Sequence, residues 1–425
     1  MKAAGIRPAP GAGVARGRNV EAEALIKEAR RRQRRRYLAV SLALAVATAA
    51  ALGVLAGLGP GGHPQRHRRP RPTPAVSHPA GRGVSGPVLG SRAGSTLMWP
   101  ISPASGDRAY LADLRTGRVS LVTIPANIDG GDVDPYLIRA GRWLVYKAGS
   151  RGGTLAIPGD LRGRPRVLGS TFQFAPAAAP GRVWLIRGTP LNPETSARSV
   201  QVAGGPPGRA VRLPAGSFLV EGTDAGLLLI SRRGDLELWM PGRGAPAKLA
   251  HLPGGVEDGF AADNHIVAYG IRCRTLGTSA SAEFQFGYTA CRTLQVLNLL
   301  TGKSRSFPAP PGTSGWVPPV PSGFNMDNLL APGDRMMAAE AVVGPRLGLV
   351  RVFVLHLSGA RRLAPVPGSA GFFPRTAWSN DGAWLLYQGP GKRLWAYQPA
   401  TGSVRSSSAP CCWYTVMVTI PSPTR

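Results

Sequence analysis

Apolar residues follow two different patterns along the chain, and the first is one long run near the N-terminus. Residues 37–59 contain no charged side chain over 23 positions. As a helix this segment would be about 34 Å long, which is enough to cross a hydrocarbon core of about 30 Å. A helix packed on a water-soluble domain would show polar residues along one face, and this segment does not. The pattern therefore predicts a single transmembrane helix that contacts the lipid bilayer.

The second pattern consists of short apolar segments that follow tight turns and recur along residues 96–425. The clearest copies are Gly141–Tyr146, Gly181–Ile186, Gly226–Ile230 and Asp381–Tyr387, and weaker copies are Asn264–Tyr269 and Gly333–Ala338. A second repeated element is a Thr-Gly turn, at Thr116-Gly117, Thr301-Gly302 and Thr401-Gly402. Glycine can take the left-handed conformation that closes a short β-hairpin. These repeats predict an all-β domain built from similar hairpin units.

Most intervals between the copies have the length of a four-stranded β-propeller blade. The intervals predicted for whole blades are 132–169, 171–213, 217–252, 256–308, 321–366 and 372–408. Two fragments remain, 97–124 with about three strands and 411–420 with one. Pairing the fragments would make one more blade, so we expect about seven blades in a ring closed by N-terminal and C-terminal strands. Six or eight blades, or a pair of two-sheet β-sandwiches, are the alternatives.

One copy of the repeat resembles a known family. Trp378–Tyr387 reads Trp-Ser-Asn-Asp-Gly-Ala-Trp-Leu-Leu-Tyr, and it is followed by Leu394–Tyr397 and by the turn Thr401-Gly402. This order is similar to the β-propeller repeat of the TolB and WD40-like families. Only residues 378–404 match it well, so the resemblance implies the propeller fold and carries no functional residue to this chain.

The charges flanking the predicted helix predict its orientation. Six arginines occur among the seven residues Arg30–Arg36, immediately before the helix, and basic residues of this kind stay on the cytoplasmic side. A smaller basic group at 66–71 follows the helix at a greater distance. We therefore expect a basic cytoplasmic tail at 1–36 and an extracytoplasmic domain at 96–425. A cleaved secretory signal is the alternative, and it would also place the C-terminal part outside.

Residues 60–95 are rich in Pro, Arg and Gly and have almost no apolar periodicity, which predicts a stalk. The net charge of the chain is +29, of which the tail contributes +8 and the stalk +6. The remaining +15 is spread over more than 300 residues and indicates a generally basic surface. That surface reflects either an Arg-rich composition or contact with polyanions. Because no basic motif is interleaved with aromatic residues, we do not expect nucleic acid as a partner.

The four cysteines all lie in the predicted outer domain. Cys273 and Cys291 lie near the facing ends of two strand-like segments, so a disulfide between them would close the insertion 274–290. Such a bond fits an oxidising, extracytoplasmic location. Cys411 and Cys412 are adjacent, and neighbouring Cα atoms are close for a disulfide. Four cysteines allow three pairings, and the sequence does not select one.

Candidate metal and catalytic residues are few. Asp129, Asp132 and Asp134 form the densest acidic cluster, which either caps a turn or offers oxygens to a cation such as calcium. His251, His265 and His356 are isolated along the chain and have no metal-ligand spacing. No nucleophile elbow, phosphate-binding glycine loop or His-Glu-x-x-His motif is present. We therefore assign no catalytic, cofactor or metal residue.

These features favour a non-catalytic propeller that binds a protein or cell-envelope polymer through one face of the ring. One alternative is a propeller-fold hydrolase or lyase acting on an envelope glycan or peptide, because propellers can assemble sites from distant blades. The other is a polyanion-binding surface protein, which a contiguous arginine face would indicate.

Overall fold

The computed structural model describes much of the C-terminal part of the chain. The described residues are 84–100, 108–124, 137–147, 153–161, 163–169, 173–189, 192–231, 233–252, 260–263, 265–278, 287–318, 329–333, 335–344, 349–359, 363–372, 376–410 and 415–420. They all belong to one compact domain, Pro74–Arg425. The predicted tail, the predicted transmembrane helix 37–59 and the stalk up to residue 83 lie outside the described residues. Among the residues described, no helix is both long and apolar enough to cross a bilayer.

The described residues form short antiparallel strands, which fall in chain order into seven units. Unit 1 contains β1 (Val84–Ser85), β2 (Ser95–Pro100), β3 (Arg108–Asp113) and β4 (Arg118–Thr123). Unit 2 contains β5 (Leu137–Ala140), β6 (Trp143–Lys147), β7 (Thr154–Pro158) and β8 (Arg166–Gly169). Unit 3 contains β9 (Gln173–Pro176), β10 (Arg182–Thr189), β11 (Asn192–Gln201) and β12 (Ala210–Arg212). Unit 4 contains β13 (Ser217–Thr223), β14 (Gly226–Ser231), β15 (Asp235–Trp239) and β16 (Ala247–His251).

The remaining strands complete the all-β domain. Unit 5 contains β17 (Phe260–Asp263), β18 (Ile266–Thr278), β19 (Gly287–Asn298) and β20 (Ser304–Pro308). Unit 6 contains β21 (Thr313–Trp316), β22 (Met336–Val343), β23 (Leu349–His356), β24 (Leu363–Pro365) and β25 (Gly371–Phe372). Unit 7 contains β26 (Thr376–Trp378), β27 (Leu385–Gly389), β28 (Arg393–Gln398) and β29 (Ser403–Pro410), with a 3-10 turn at Pro390–Lys392. The last described strand is β30 (Thr415–Ile420).

Units 2 to 7 are antiparallel sheets whose strands follow one another in space as they do in sequence, except that β25 pairs with β23; in unit 1, the first strand β1 lies beside β4. Units 5 and 6 share one sheet, because β19 and β21 pair through Cys291 and Trp316. This succession of four-stranded sheets is propeller-like. It agrees with the intervals predicted from the repeats, except that unit 6, predicted as 321–366, begins earlier, at Thr313, and ends later, at Phe372. The residues of β21, Thr-Ser-Gly-Trp, have no apolar run that would reveal a strand.

The C-terminal strand β30 belongs to unit 1. It pairs antiparallel with β2 in continuous register, from Ser95 opposite Ile420 to Pro100 opposite Thr415. The predicted pairing of the two terminal fragments is therefore confirmed. The sheet order is β1-β4-β3-β2-β30, so the last strand lies at one edge and the first at the other. Residues 84–94, which the sequence assigned to the stalk, lie against this unit: β1 pairs with β4, and Leu89 enters the core.

Apolar clusters join each unit to the next. Separate clusters link units 1 and 2, 2 and 3, 3 and 4, 4 and 5, 5 and 6, and 6 and 7. A seventh cluster links unit 7 back to unit 1, with Trp384 and Leu386 packed beside Met98 and Met417. Polar contacts follow the same path, since Arg139 of unit 2 donates to the carbonyl of Thr419 and to Asn380 Oδ1, both at 3.2 Å.

Strand β14 shows why many strands of this domain are continuous apolar runs in the sequence. Successive side chains of a strand point to opposite faces. Leu227 and Leu229 therefore enter the cluster shared with unit 3, whereas Leu228 and Ile230 enter the cluster shared with unit 5. Both faces of the sheet are buried, and alternation between apolar and polar residues is lost.

The family-like motif of unit 7 is a hydrogen-bonded turn. Ser379 Oγ lies 2.6 Å from Asp381 Oδ1 and accepts the amide hydrogen of Trp384 at 2.9 Å. Asp381 Oδ1 also accepts the amide hydrogen of Ala383 at 3.1 Å, and Gly382 has a φ of +67°. The short polar side chains and the glycine thus fix the turn that aims Trp384 into the core between units 7 and 1.

Candidate binding cleft

An open cleft of about 250 Å³ lies between units 3 and 4. Its walls come from the β9–β10 turn, from strands β10 and β11, and from the β13–β14 and β15–β16 turns. The lining is mainly small or apolar, and the residues are Ala177, Ala178, Ala179, Arg182, Trp184, Ser199, Gly222, Thr223, Gly226, Leu227, Met240 and Pro241. A few polar groups in an apolar concavity are typical of ligand sites.

Trp184 forms an aromatic wall of the cleft and depends on a glycine opposite. The indole packs partly against the cluster between units 3 and 4 and is half-buried. A Cβ atom added to Gly222 would lie 2.9 Å from the indole Cδ1 and closer still to Nε1. The Nε1–Cδ1 edge of the indole therefore lies against β13 at Gly222, where residue 222 has no side chain to occupy that space.

Arg182 supplies the cationic group of the cleft, held by neighbouring strands. Its Nε donates to Ser199 Oγ at 2.9 Å, and its Nη2 donates to the Ser199 carbonyl at 3.4 Å. Its Nη1 donates to Gln201 Oε1 at 3.4 Å. Three of its five N–H groups are thus used, which orients the guanidinium while leaving further donors for a bound carboxylate or carbonyl.

The remaining rim combines an exposed apolar side chain with a hydrogen-bonded turn. Met240 is 40% exposed, which is high for a large apolar side chain. Methionine is unbranched and polarizable and adapts to partners of different shape. Opposite it, Thr223 Oγ1 donates to the carbonyl of Gly226 at 2.9 Å and holds the β13–β14 turn.

The predicted disulfide is present. Cys273 and Cys291 face each other on β18 and β19 with an S–S distance of 2.02 Å. The bond packs on Gly270, where an added Cβ atom would lie 2.9 Å from Cys273 Sγ and 3.0 Å from Cys291 Cβ. It lies in unit 5 and contributes nothing to the cleft. Cys411 and Cys412 lie outside the described residues.

The three candidate histidines are not brought together. His251, His265 and His356 belong to units 4, 5 and 6, and the Asp129–Asp134 cluster lies outside the described residues. Within the described ranges, no group of three or more His, Cys, Asp or Glu side chains could hold a metal ion.

His251 takes part in a surface ion-pair group on unit 4. Its Nδ1 lies 2.8 Å from Asp235 Oδ1, and Lys248 Nζ lies 2.6 Å from the same oxygen. Hydrogen bonds from Lys248 and then His251 lower the pKa of Asp235 below its ordinary 3.8. Burial, and then the charge of Asp235, raise the pKa of the neighbouring Glu237. This cluster joins the two strands of the β15–β16 hairpin at the protein surface.

Sequence reasoning missed the cleft because no motif encodes it. The Gly181–Ile186 repeat predicted a strand, and Arg182 and Trp184 look there like ordinary strand residues. Their role depends on Gly222 and Met240, which belong to the next unit. The one available signal is that Arg182 and Trp184 alternate on one face of β10, while the apolar Val183 and Leu185 lie on the other.

Comparisons with known proteins concern the fold. No family model and no curated protein sequence matches the chain. Among solved structures, the chain is similar to the Pan2 WD40 domain of Neurospora crassa, with 10% identity over 81% of this chain and 90% of that one and a TM-score of 0.43. It is also similar to TolB from Acinetobacter baumannii, with 11% identity, coverage of 69% and 68%, and a TM-score of 0.38.

A third similar structure is apo AztD from Citrobacter koseri, with 13% identity, coverage of 75% of this chain and 82% of that one, and a TM-score of 0.40. The structural neighbours are thus WD40 and TolB-like β-propellers. The strand order itself defines the class of this chain as a β-propeller-like all-β protein.

Proposed function

We propose that this chain is a membrane-anchored interaction module whose propeller binds a peptide segment of a protein partner outside the cytoplasm. The observation that carries the binding role is the cleft between units 3 and 4. It offers an aromatic wall, an adaptable methionine and one oriented guanidinium within a single concave surface. Aromatic residues, Met and Arg are the residue types enriched where proteins bind one another.

The cleft fits an extended segment that places an apolar side chain beside an acidic one. The apolar side chain would cover Trp184 and Leu227, and the carboxylate would accept hydrogen bonds from Arg182. Burying the face of a tryptophan contributes about 25 cal/mol per Å² of apolar area removed from water. The carboxylate adds a charge-assisted bond and sets the direction in which the segment lies.

We also propose that the seven units form a closed ring. Support comes from the seven apolar clusters, which link the units in a cycle, and from the pairing of β2 with β30. An open array of sheets would expose two unpaired strand edges, which invites aggregation.

The membrane anchor and the outer location are proposed from the sequence. The uncharged run at 37–59 supports a transmembrane helix, and Arg30–Arg36 supports a cytoplasmic N-terminus. The disulfide between Cys273 and Cys291 is consistent with an oxidising compartment.

Selection of displayed peptides tests the proposed cleft. The full chain in non-ionic detergent is used to select peptides from a random library, and the affinity of each selected peptide is measured by fluorescence anisotropy. We expect apolar-acidic peptides whose affinity falls about tenfold or more for Trp184→Leu, because loss of one buried anchor typically removes over 1 kcal/mol.

The matched control is Val167→Ser, which removes a side chain that is 69% exposed on unit 2. It should leave the affinity unchanged, and the melting temperatures of both variants report whether each remains folded. Selected peptides that bind wild type and a folded Trp184→Leu variant equally would place the binding site elsewhere.

A further inference from the structure

Arginines are concentrated in one part of the ring. The segment 163–212 contains seven Arg and one Glu, with no Lys or Asp, which gives a net charge of +6. It covers β8 and the whole of unit 3. The sequence predicted a diffuse basic surface for the outer domain, whereas the strand register brings part of this charge together.

Three of these arginines share one face of unit 3. Residues paired across neighbouring strands point to the same face. Arg187 on β10 is opposite Ser196 on β11, and Ser196 is opposite Arg212 on β12. Arg198 lies two residues further along β11, so it occupies the same face and is diagonal to both other arginines.

The three guanidinium groups can reach a common anion. Diagonal neighbours on adjacent strands have Cα atoms roughly 7–8 Å apart, which is within the span of arginine side chains. Arg187, Arg198 and Arg212 are exposed, and Ser196 lies between them as a partly buried hydroxyl. Four side chains that donate hydrogen bonds therefore surround one point on the sheet.

No side chain that the structure describes forms an ion pair with the three arginines. The ion pairs found among the described residues involve Arg115, Lys248 and His251, and none involves the three arginines. Like charges on neighbouring strands repel and destabilise a sheet. A bound anion would remove that repulsion, and guanidinium groups match the oxygens of a phosphate in a bidentate geometry.

The position of the cluster favours a linear ligand. Leu185, on the same face as Arg187 and Arg198, packs into the cluster shared with unit 2, so this face is directed toward unit 2. On unit 2, Arg166 is opposite Ala156, which enters the same cluster, and its guanidinium lies beside Gly204 of unit 3. The arginines are exposed on mutually facing sheets, so they line a furrow between units 2 and 3 that extends from β10 across β11 to the outer strand β12.

We propose that Arg187, Arg198 and Arg212 form a binding site for a linear polymer bearing phosphate groups, with Arg166 at the other end of the same furrow. A furrow admits a chain, whereas a flat bilayer surface would not reach side chains between two sheets. The site is separate from the peptide cleft, because Arg182 and Ser199 lie on the opposite face of unit 3. It therefore does not depend on the function proposed for that cleft.

Chemical protection of arginines locates the site in the intact protein. The full chain in non-ionic detergent is treated with phenylglyoxal with and without inorganic polyphosphate, and modified arginines are quantified by mass spectrometry. Polyphosphate should slow modification of Arg187, Arg198 and Arg212 by about fivefold or more. Arg108, Arg118 and Arg351, exposed on units 1 and 6, should be modified at unchanged rates. This readout is local, so binding of polyphosphate to the basic tail cannot mimic it.

Matched substitutions give the second test. The triple variant Arg187→Gln/Arg198→Gln/Arg212→Gln should bind polyphosphate about tenfold or more weakly, and the slope of log Kd against log salt should fall by about 2, because fewer counterions are released. The control variant Arg108→Gln/Arg118→Gln/Arg351→Gln has the same charge and should lose much less affinity. Melting temperatures verify that both variants fold.

Several results would overturn the proposal. They are uniform protection of all six arginines, equal loss of affinity in both triple variants, and absence of protection at the three furrow positions. Protection of these positions by vesicles containing anionic phospholipid, but not by polyphosphate, would assign the face to a membrane surface instead. An Arg→Lys version of the triple variant resolves the chemistry, because it keeps the charge and loses the bidentate geometry.

Discussion

At the scale of single residues, the binding cleft depends on a position that carries no side chain. Gly222 lies in β13, and Trp184 of the preceding unit packs on its backbone. Glycine is unfavourable in the interior of a strand, so its presence here agrees with close approach of an aromatic ring.

We predict that Gly222→Ala displaces Trp184 and closes the cleft. The new methyl group would clash with the indole of Trp184 and force that ring or the backbone of β13 to move. We expect the free energy of unfolding to fall by about 1–3 kcal/mol. Peptides selected on the wild-type cleft should bind weakly, and the tryptophan emission should change. Gly371→Ala is the matched control, because an added Cβ atom there meets nothing within 4 Å. Equal melting temperatures and peptide affinities for both variants would contradict the packing described.

The ionisation of Tyr387 predicts how the stability of unit 7 changes at alkaline pH. Its hydroxyl donates to the carbonyl of Pro367 at 2.5 Å. Burial, and then the proximity of Tyr397, raise the pKa of Tyr387 from 10.0 to about 12. Its contribution to stability is complete below pH 10 and is lost as the pH rises to about 12, since the unfolded chain releases the proton first.

The variant Tyr387→Phe keeps the ring and removes the ionisable group. We expect it to be less stable at neutral pH by about 1 kcal/mol, because one hydrogen bond is lost. Its melting temperature should decline less steeply than that of wild type between pH 10 and 12. If the melting temperatures of wild type and Tyr387→Phe declined equally between pH 10 and 12, Tyr387 would not ionise on unfolding in that range.

At the scale of elements, the sequence predicted what each strand could specify by itself. The repeats located most units because Gly-initiated apolar runs such as Gly226–Ile230 are buried on both faces. The Thr-Gly turns were also predictable, and Gly117, Gly302 and Gly402 have φ of +70°, +66° and +72°. Neither the cleft nor the arginine furrow could be predicted this way, because each requires knowing which residues of different strands or units become neighbours.

The disulfide of unit 5 should stabilise the long β18–β19 hairpin. Cys273 and Cys291 are 18 positions apart, and closing a loop of this size contributes about 3 kcal/mol in the chain-entropy model. Reduction with dithiothreitol should lower the melting temperature of wild type and have no effect on Cys273→Ala/Cys291→Ala. A reductant effect of equal size in the double variant would assign the sensitivity to Cys411 and Cys412.

At the scale of the whole molecule, the proposed closure of the ring depends on strand β30. Removing residues 415–425 should expose the edge of β2 and take Met417 and Ile420 from the clusters on both sides of unit 1. We expect a large fall in the melting temperature of the entire domain, as measured by calorimetry. The control deletion 421–425 leaves β30 intact and should melt as wild type does. An unchanged cooperative transition without β30 would refute the closed ring.

The proposed topology predicts which end of the chain is accessible from outside. Protease added to intact cells after removal of any wall should digest residues 96–425 and spare the tail, as followed with antibodies to tags at each end. Replacing Arg30–Arg36 with neutral residues should weaken this orientation, because the basic group at 66–71 would then dominate. Digestion of the tail in wild-type cells would reverse the assignment.

Pairing of β2 with β30 also has a consequence for how the protein is made. Thr96 and Val418, which share a hydrogen bond across this seam, are separated by 322 positions in the chain. At roughly 5–20 residues per second, β2 must wait on the order of tens of seconds for its partner to leave the ribosome. During that interval a growing chain displays a bare hydrogen-bonding edge, and premature termination makes the exposure permanent. The nascent chain is therefore the stage at which a chaperone that shields strand edges would have its greatest effect.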